Sequence, residues 1–304
     1  MRPPLQQRFH VYVLGPNQDP RLTTVAAGAT IQGIELPTDN DAPFFLTGRA
    51  VRHKYATDAL NQANLQGLRT RWSGPGADYR SEFLLESLVM VYYGQFGNPK
   101  PIAPGVSYPA SSIIRLDLQN TGPNPISNLT YYFIGYKTYP WDSVVGYTYP
   151  KNIKRVQTFA YPIPVVALGV SELRPSQIFT CKDDADFVFR AGQCPPLFTT
   201  GGRTLAEVGI ILRDFDKHSY MNDYVQLDVL FGSGSAPATI PVGPTPSFVS
   251  PFGTGPGQPG LIYPEIYLPA DHVLRYDLQR NDGAVGANQA ETFTFNLIGS
   301  KVFV

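Results

Sequence analysis

The sequence predicts an all-β protein: two tandem duplicated, jelly-roll-like β-sandwich domains behind an N-terminal arm. Three observations predict it: an internal duplication, a period-two alternation of apolar residues, and a composition poor in charge but rich in aromatic and chain-breaking residues. Of 304 residues only 16% are charged, while 18 Tyr, 18 Phe, 28 Gly and 29 Pro are present. An ordinary soluble chain has about 25% charged residues, so this balance favours short strands and tight turns over helical bundles.

The duplication is carried by ordered blocks. Ile114-Arg115-Leu116-Asp117-Leu118-Gln119 returns 160 positions on as Leu274-Arg275-Tyr276-Asp277-Leu278-Gln279. Thr130 to Lys137 returns 164 positions on as Thr294 to Lys301, each block holding Ile-Gly-x-Lys. Asp41 to Leu46 faces Asp184 to Phe189, and Ile34-Glu35-Leu36 faces Ser171-Glu172-Leu173. Tyr108-Pro109 finds a counterpart near Tyr263-Pro264, and Tyr79, Glu82 and Phe83 face Tyr220, Asp223 and Tyr224. A period of this size is a whole domain rather than a solenoid repeat.

The domains are read as follows. Residues 1–27 lack a partner and form the arm, although Phe9 to Leu14 could be a strand. The first sandwich covers 28–140. A Tyr-Pro-rich connector covers 141–164, because the residue before each proline is held extended. The second sandwich covers 165–304. Ile114, Leu116 and Leu118 alternate with Arg115, Asp117 and Gln119, as in a strand buried on one face. Glu82–Tyr93 and Tyr224–Phe231 are longer apolar runs suited to central strands. Thr57–Leu65 is the one predicted helix. Gln95–Val106 is a 12-residue loop whose counterpart, 233–261, has 29 residues of mostly Gly, Pro, Ser, Thr and Ala. Such a loop is either a disordered surface insertion or an extended segment ordered by a neighbouring molecule, and Phe248 and Phe252 favour the second, since a free linker has no use for them.

Chemistry-bearing patterns are sparse. Net charge is zero, so no basic surface for nucleic acid is expected. His10, His53, His218 and His272 show no metal-ligand spacing, so no metal and no cofactor are expected. Asp183, Asp184 and Asp186 read as a solvated turn. Asp214 and Asp216 read as one exposed strand face and are the only candidate catalytic pair. No nucleophile elbow or phosphate loop is present. Cys181 and Cys194 are spaced for a disulfide, but two free thiols are what a cytoplasmically made protein carries. No signal-like or membrane-spanning stretch occurs, so synthesis in a cytoplasm and a soluble product are expected. Arg115-x-Asp117 and Arg275-x-Asp277 are the charged pairs found in both copies, placed for surface salt bridges or contacts between subunits.

Each copy's second half runs from Tyr-Pro through an apolar-Arg-apolar-Asp-Leu strand to Gly-x-Lys-x-aromatic: Arg115, Asp117, Gly135, Lys137 and Tyr139, then Arg275, Asp277, Gly299, Lys301 and Phe303. This pattern resembles structural proteins of tailed-bacteriophage virions. The resemblance implies a non-enzymatic assembly part located in the virion: a capsid decoration or minor capsid protein, alternatively a neck or collar component. Its partners would be other virion proteins and further copies of itself. A carbohydrate-binding adhesin module, with Trp72, Trp141 and the Tyr-rich 131–149 stretch as stacking platform, is the second reading. An enzyme built on Asp214 and Asp216 is the third.

Overall fold

Alternation decides which residues meet the core. In Ile113–Asn120, Ile114, Leu116, Leu118 and Asn120 are buried while Arg115 is exposed, so one face of the strand looks inward. The structure, a computed structural model, describes residues 5–53, 67–74, 77–78, 83–85, 100–140, 152–193, 208–214, 219–231, 260–280 and 290–304. The expected helix Thr57–Leu65 lies outside them, as do residues 86–93 of one expected central strand.

The first half contains β1 (Leu5–Leu14), β2 (Thr24–Val25), β3 (Thr30–Pro37), β4 (Phe44–His53), β5 (Leu68–Gly74) and β6 (Ala77–Asp78). It continues with β7 (Leu84–Leu85), β8 (Lys100–Tyr108), β9 (Ile113–Asn120), β10 (Ile126–Ser127) and β11 (Leu129–Pro140). The second half contains β12 (Arg155–Leu168), β13 (Leu173–Thr180), β14 (Asp186–Gln193), β15 (Val208–Asp214) and β16 (Val225–Gln226). A short helix α1 (Leu227–Phe231), then β17 (Gly260–Leu268), β18 (Val273–Arg280) and β19 (Glu291–Phe303) complete it.

Each half is a jelly-roll sandwich. One sheet of the first half has the order β1-β11-β4-β8 and the other β3-β9-β5-β6, with β7 also paired to β5; the second half repeats this as β12-β19-β14-β17 and β13-β18-β15-β16, where β16 takes the place of β7. All of these pairings are antiparallel. Irregularities repeat too. The β4–β8 ladder slips between Leu46 and Gly48, and the β14–β17 ladder slips between Phe189 and Ala191. The β3–β9 ladder slips between Ile31 and Ile34, and β13–β18 between Arg174 and Gln177.

The register corrects several expectations. From Leu5 on, the expected arm is not free, because β1 runs antiparallel to β11 from Leu5↔Pro140 to Leu14↔Tyr131 and forms an edge of the first sandwich. The connector 141–164 also contains a strand: β12 pairs with β19 from Arg155↔Phe303 onward. Its prolines are tolerated because β12 is an edge strand whose missing N–H groups break no ladder. His10 stands opposite Gly135 and Phe159 opposite Gly299, so β1 and β12 are counterparts. Ile34 pairs with Leu116 as Gln177 pairs with Tyr276, which shifts the sequence alignment of that strand by six residues. Phe44 faces Tyr108 as Phe187 faces Leu268, so the partner of Tyr108-Pro109 is Leu268-Pro269 rather than Tyr263-Pro264. Ser111 and Asp271, two residues past these prolines, share a left-handed backbone with φ of 57° and 59°.

Two further expectations shift. Lys100–Val106 belongs to β8 instead of a loop, and Gly260–Leu261 opens β17. Tyr224–Phe231 is a two-residue strand followed by α1. The run Leu227-Asp228-Val229-Leu230-Phe231 is short and apolar, and such a run does not separate strand from buried helix by periodicity.

Candidate functional site

The charged residues singled out by sequence hold strands together. In the first half Asp117 accepts from Arg71 Nη2 at 2.6 Å and from the backbone N–H of Gly33 at 2.7 Å. In the second half Asp277 pairs with Arg213 at 3.0 Å and accepts from the N–H of Ser176 at 2.7 Å. Gly33 and Ser176 both sit at positive φ, 67° and 56°, where the β3 and β13 ladders slip. The repeated aspartate therefore ties down a bulge, satisfying an N–H that the ladder leaves over. Arg115 bonds Glu35 at 3.1 Å on an exposed surface, and Ile178 stands where Glu35 does, so that pair is particular to the first half.

The Gly-x-Lys motif makes a second repeated clamp. Lys137 Nζ, 3% exposed, donates to Asp39 and, at 3.0 Å, to Asp41; Tyr139 also donates to Asp41, at 2.7 Å. Lys301 Nζ donates to Asp184 at 2.5 and 2.6 Å and lies 4.4 Å from the Phe159 ring centroid. The Lys301 ammonium holds the Asp184 carboxyl below its ordinary range. Tyr12 OH accepts from the N–H of Asp39, as Tyr161 OH accepts from the N–H of Lys182. Burial pushes both phenols up. Asp184 sits in the exposed turn that the sequence suggests and is at the same time the partner of Lys301. Asp186, from the same cluster, accepts from the N–H of Ala270 at 2.8 Å and from Tyr267.

Both clamps depend on glycine. A Cβ on Gly135 would stand 2.0 Å from the carbonyl oxygen of Phe45, and one on Gly299 would stand 1.9 Å from that of Val188. Gly135 sits where the β11–β4 register slips, and Gly299 where β19–β14 slips. The motif brings two backbones closer than any other residue permits, and the lysine two positions on locks the strand end.

A set of polar and apolar contacts joins the two halves. β1 is buried on both faces. Tyr12 and Leu14 enter the first core, whereas Phe9, Val11 and Val13, with Ala50 and Tyr132, pack into the core of the second half. Burying each valine contributes on the order of 1.5–3 kcal/mol. The outer edge of β1 is satisfied as well: the N–H of Val11 donates to Tyr220 O at 2.9 Å, and that of Val13 to Asn222 Oδ1 at 2.5 Å. Asn222 Nδ2 returns a bond to Val13 O at 3.1 Å, and Asn17 and Gln18 each donate to Asp223 at 3.0 Å. Asp214, its side chain 1% exposed, lies 3.5 Å from Arg8 and 2.9 Å from His272. The Arg8 guanidinium also stands 4.4 Å from the Tyr220 ring centroid.

These positions revise the candidate sites. Asp214 does not lie on an exposed face; it is a buried anchor between the halves. Asp216, His218, Cys194, Trp141, Phe248 and Phe252 lie outside the described residues. Trp72 is buried in the first core with the Arg49 guanidinium 4.5 Å from its ring centroid, so it offers no sugar-stacking surface. Cys181 is a buried free thiol whose burial pushes its pKa up to about 12. It occupies the place of Thr38: its N–H bonds His272 O as that of Thr38 bonds Ser112 O. Among the described residues no group of three or more His, Cys, Asp or Glu is arranged for a metal ion, and no helix is long and apolar enough to cross a membrane.

No protein-family model matches the chain, and no curated protein matches it by sequence. Among solved structures, the STIV major capsid protein aligns over 97% of this chain and 97% of its own, at 15% identity and a TM-score of 0.25. Dimeric latent PorU from Porphyromonas gingivalis aligns over 97% of this chain and 20% of its own, at 10% identity and a TM-score of 0.21. PNGase F, a glycosylasparaginase from Flavobacterium meningosepticum, aligns over 98% and 96%, at 12% identity and a TM-score of 0.21.

Proposed function

We propose that the chain is a non-enzymatic structural component of a bacteriophage virion, made in the host cytoplasm, that acts as a homo-oligomeric capsid decoration or minor capsid protein. One observation carries the reading: the lysine and aspartates repeated in the two copies are spent on clamps that hold strands in place. Lys137 with Asp41 and Lys301 with Asp184 tie the last strand of each half to the turn entering β4 or β14, while Arg71 with Asp117 and Arg213 with Asp277 tie β5 to β9 and β15 to β18. An assembly part needs such rigid modules. An active site instead needs polar groups converging on a cleft where a substrate can reach them. The motifs that hold these clamps are the ones resembling tailed-phage structural proteins, and the low net charge suits a partner that is protein rather than nucleic acid. A neck or collar position is the alternative within the same class.

Uptake by particles tests this function. Purified protein added to particles lacking it is expected to bind saturably at a fixed number of copies per particle. Absence of binding to capsids, necks and tails alike would contradict the reading.

A further inference from the structure

The two sandwiches differ in how well one flank is covered. Seven large apolar side chains are exposed among the described residues, and all belong to the second half. Six lie along the flank formed by β12 and β13, the edge strands of the two sheets, with the segment leading into β12 and the turn between the strands: Ile153, Val156, Val166, Val170, Leu173 and Ile178, each at least 40% exposed. The outward stripe of β12 reads Val156, Thr158, Ala160, Pro162, Pro164 and Val166, all exposed and none charged. Monomeric proteins seldom concentrate exposed apolar residues on one flank without a partner for it.

The duplication says what covers such a flank. From the shared register against Gly135 and Gly299, Val11 and Val13 of β1 are the counterparts of Ala160 and Pro162 of β12. In the first half these positions are buried against the second half of the same chain, where β17 and Tyr220–Asn222 lie along β1. We infer that the β12–β13 flank of the second half is a docking surface for a second copy of this chain. The incoming element is the first half of that copy, on the side where β8 stands in the place of β17. The contact is heterologous, so its repetition closes a ring or extends a row.

The mode of contact is set by the prolines. Pro162 and Pro164 lack N–H groups, so β12 cannot donate at these positions as Val13 does to Asn222 in the first half. Edge prolines block strand-to-strand pairing. The flank therefore docks through apolar side chains, which suits a contact that must not run on into aggregation. This inference rests on the assembly reading but names its surface.

The test measures mass in solution across a concentration series for the full chain, for V156E/V166E, for A160E, and for a control, T30E/Q32E, on the exposed part of β3. The wild type and control are expected at a multiple of 33.4 kDa, and both flank variants at one chain with unchanged melting temperatures. A wild type that stays a single chain throughout, flank variants that keep the wild-type mass, or equal losses in flank and control variants would each overturn the inference. Particle uptake separates it from the broader reading. Single chains that are still taken up by particles remove this flank and leave the virion role standing, whereas flank-dependent oligomers that no particle takes up do the reverse.

Discussion

Replacing Gly299 or Gly135 with alanine is expected to destabilise the protein by roughly 3 kcal/mol or more each, at the upper end of overpacking substitutions. The atom that a new methyl would strike is a backbone carbonyl oxygen, 1.9 Å away at Gly299 and 2.0 Å away at Gly135. A side chain could rotate aside, but a carbonyl inside a ladder moves only if its strand moves. At Gly299 that strand is β14, the central partner of both β17 and β19; at Gly135 it is β4, between β8 and β11. Gly33→Ala is the contrast. Its φ of 67° disfavours a side chain, but nothing lies within 4 Å of the new methyl, so the cost should be about 1–2 kcal/mol. Urea unfolding of the three variants reads the order directly. Wild-type stability in G299A would mean that β14 and β19 do not approach as described.

The second large effect is expected at the joint between the halves. Asp214→Ala removes the carboxylate shared by Arg8 and His272 in a site where its own side chain is 1% exposed. Removing one partner of a buried ion pair costs roughly 3–5 kcal/mol, because the other charge stays behind without its counterion. The loss should also be visible as altered cooperativity. With Arg8 released, the contact of β1 with Tyr220 and Asn222 weakens, and thermal unfolding should change from one transition to two. Arg8→Ala should cost less than Asp214→Ala, since at 3.5 Å it is the longer contact. The double variant should cost less than the sum, which is the mark of a coupled pair. Independent additive effects, or no effect of Asp214→Ala, would remove this residue from the joint.

The sequence showed β9 and β18 at once, because Ile114, Leu116 and Leu118 and their counterparts alternate on strands with one wet face. It offered Phe9 to Leu14 as a strand, but for two physical reasons it hid that β1 and β12 are counterparts in the repeat. β1 is buried on both faces, so Phe9 to Leu14 carries no period-two signal to match against the repeat. β12 is an edge strand studded with prolines, which read as a connector in the absence of a sheet. Tyr12 and Tyr161 show the kinship only once folded, where each accepts a bond from the strand-entry backbone. Ile-Gly-x-Lys was legible as a motif, but its meaning was not. The tight approach at glycine and the lysine clamp to Asp41 or Asp184 exist only between residues about 100 positions apart. Asp214 was misplaced because the Asp214–Asp216 spacing suggests one strand face, while its exposure is decided by β1, some 200 residues earlier.

The proposed virion role makes this chain an assembly part rather than a catalyst or a free binding module. The most direct measurement is the copy number of the chain in purified virions, by quantitative mass spectrometry against a structural protein of known count. A fixed, stoichiometric ratio from one preparation to the next is the predicted result. Absence of the chain, or traces that vary with purification, would contradict it.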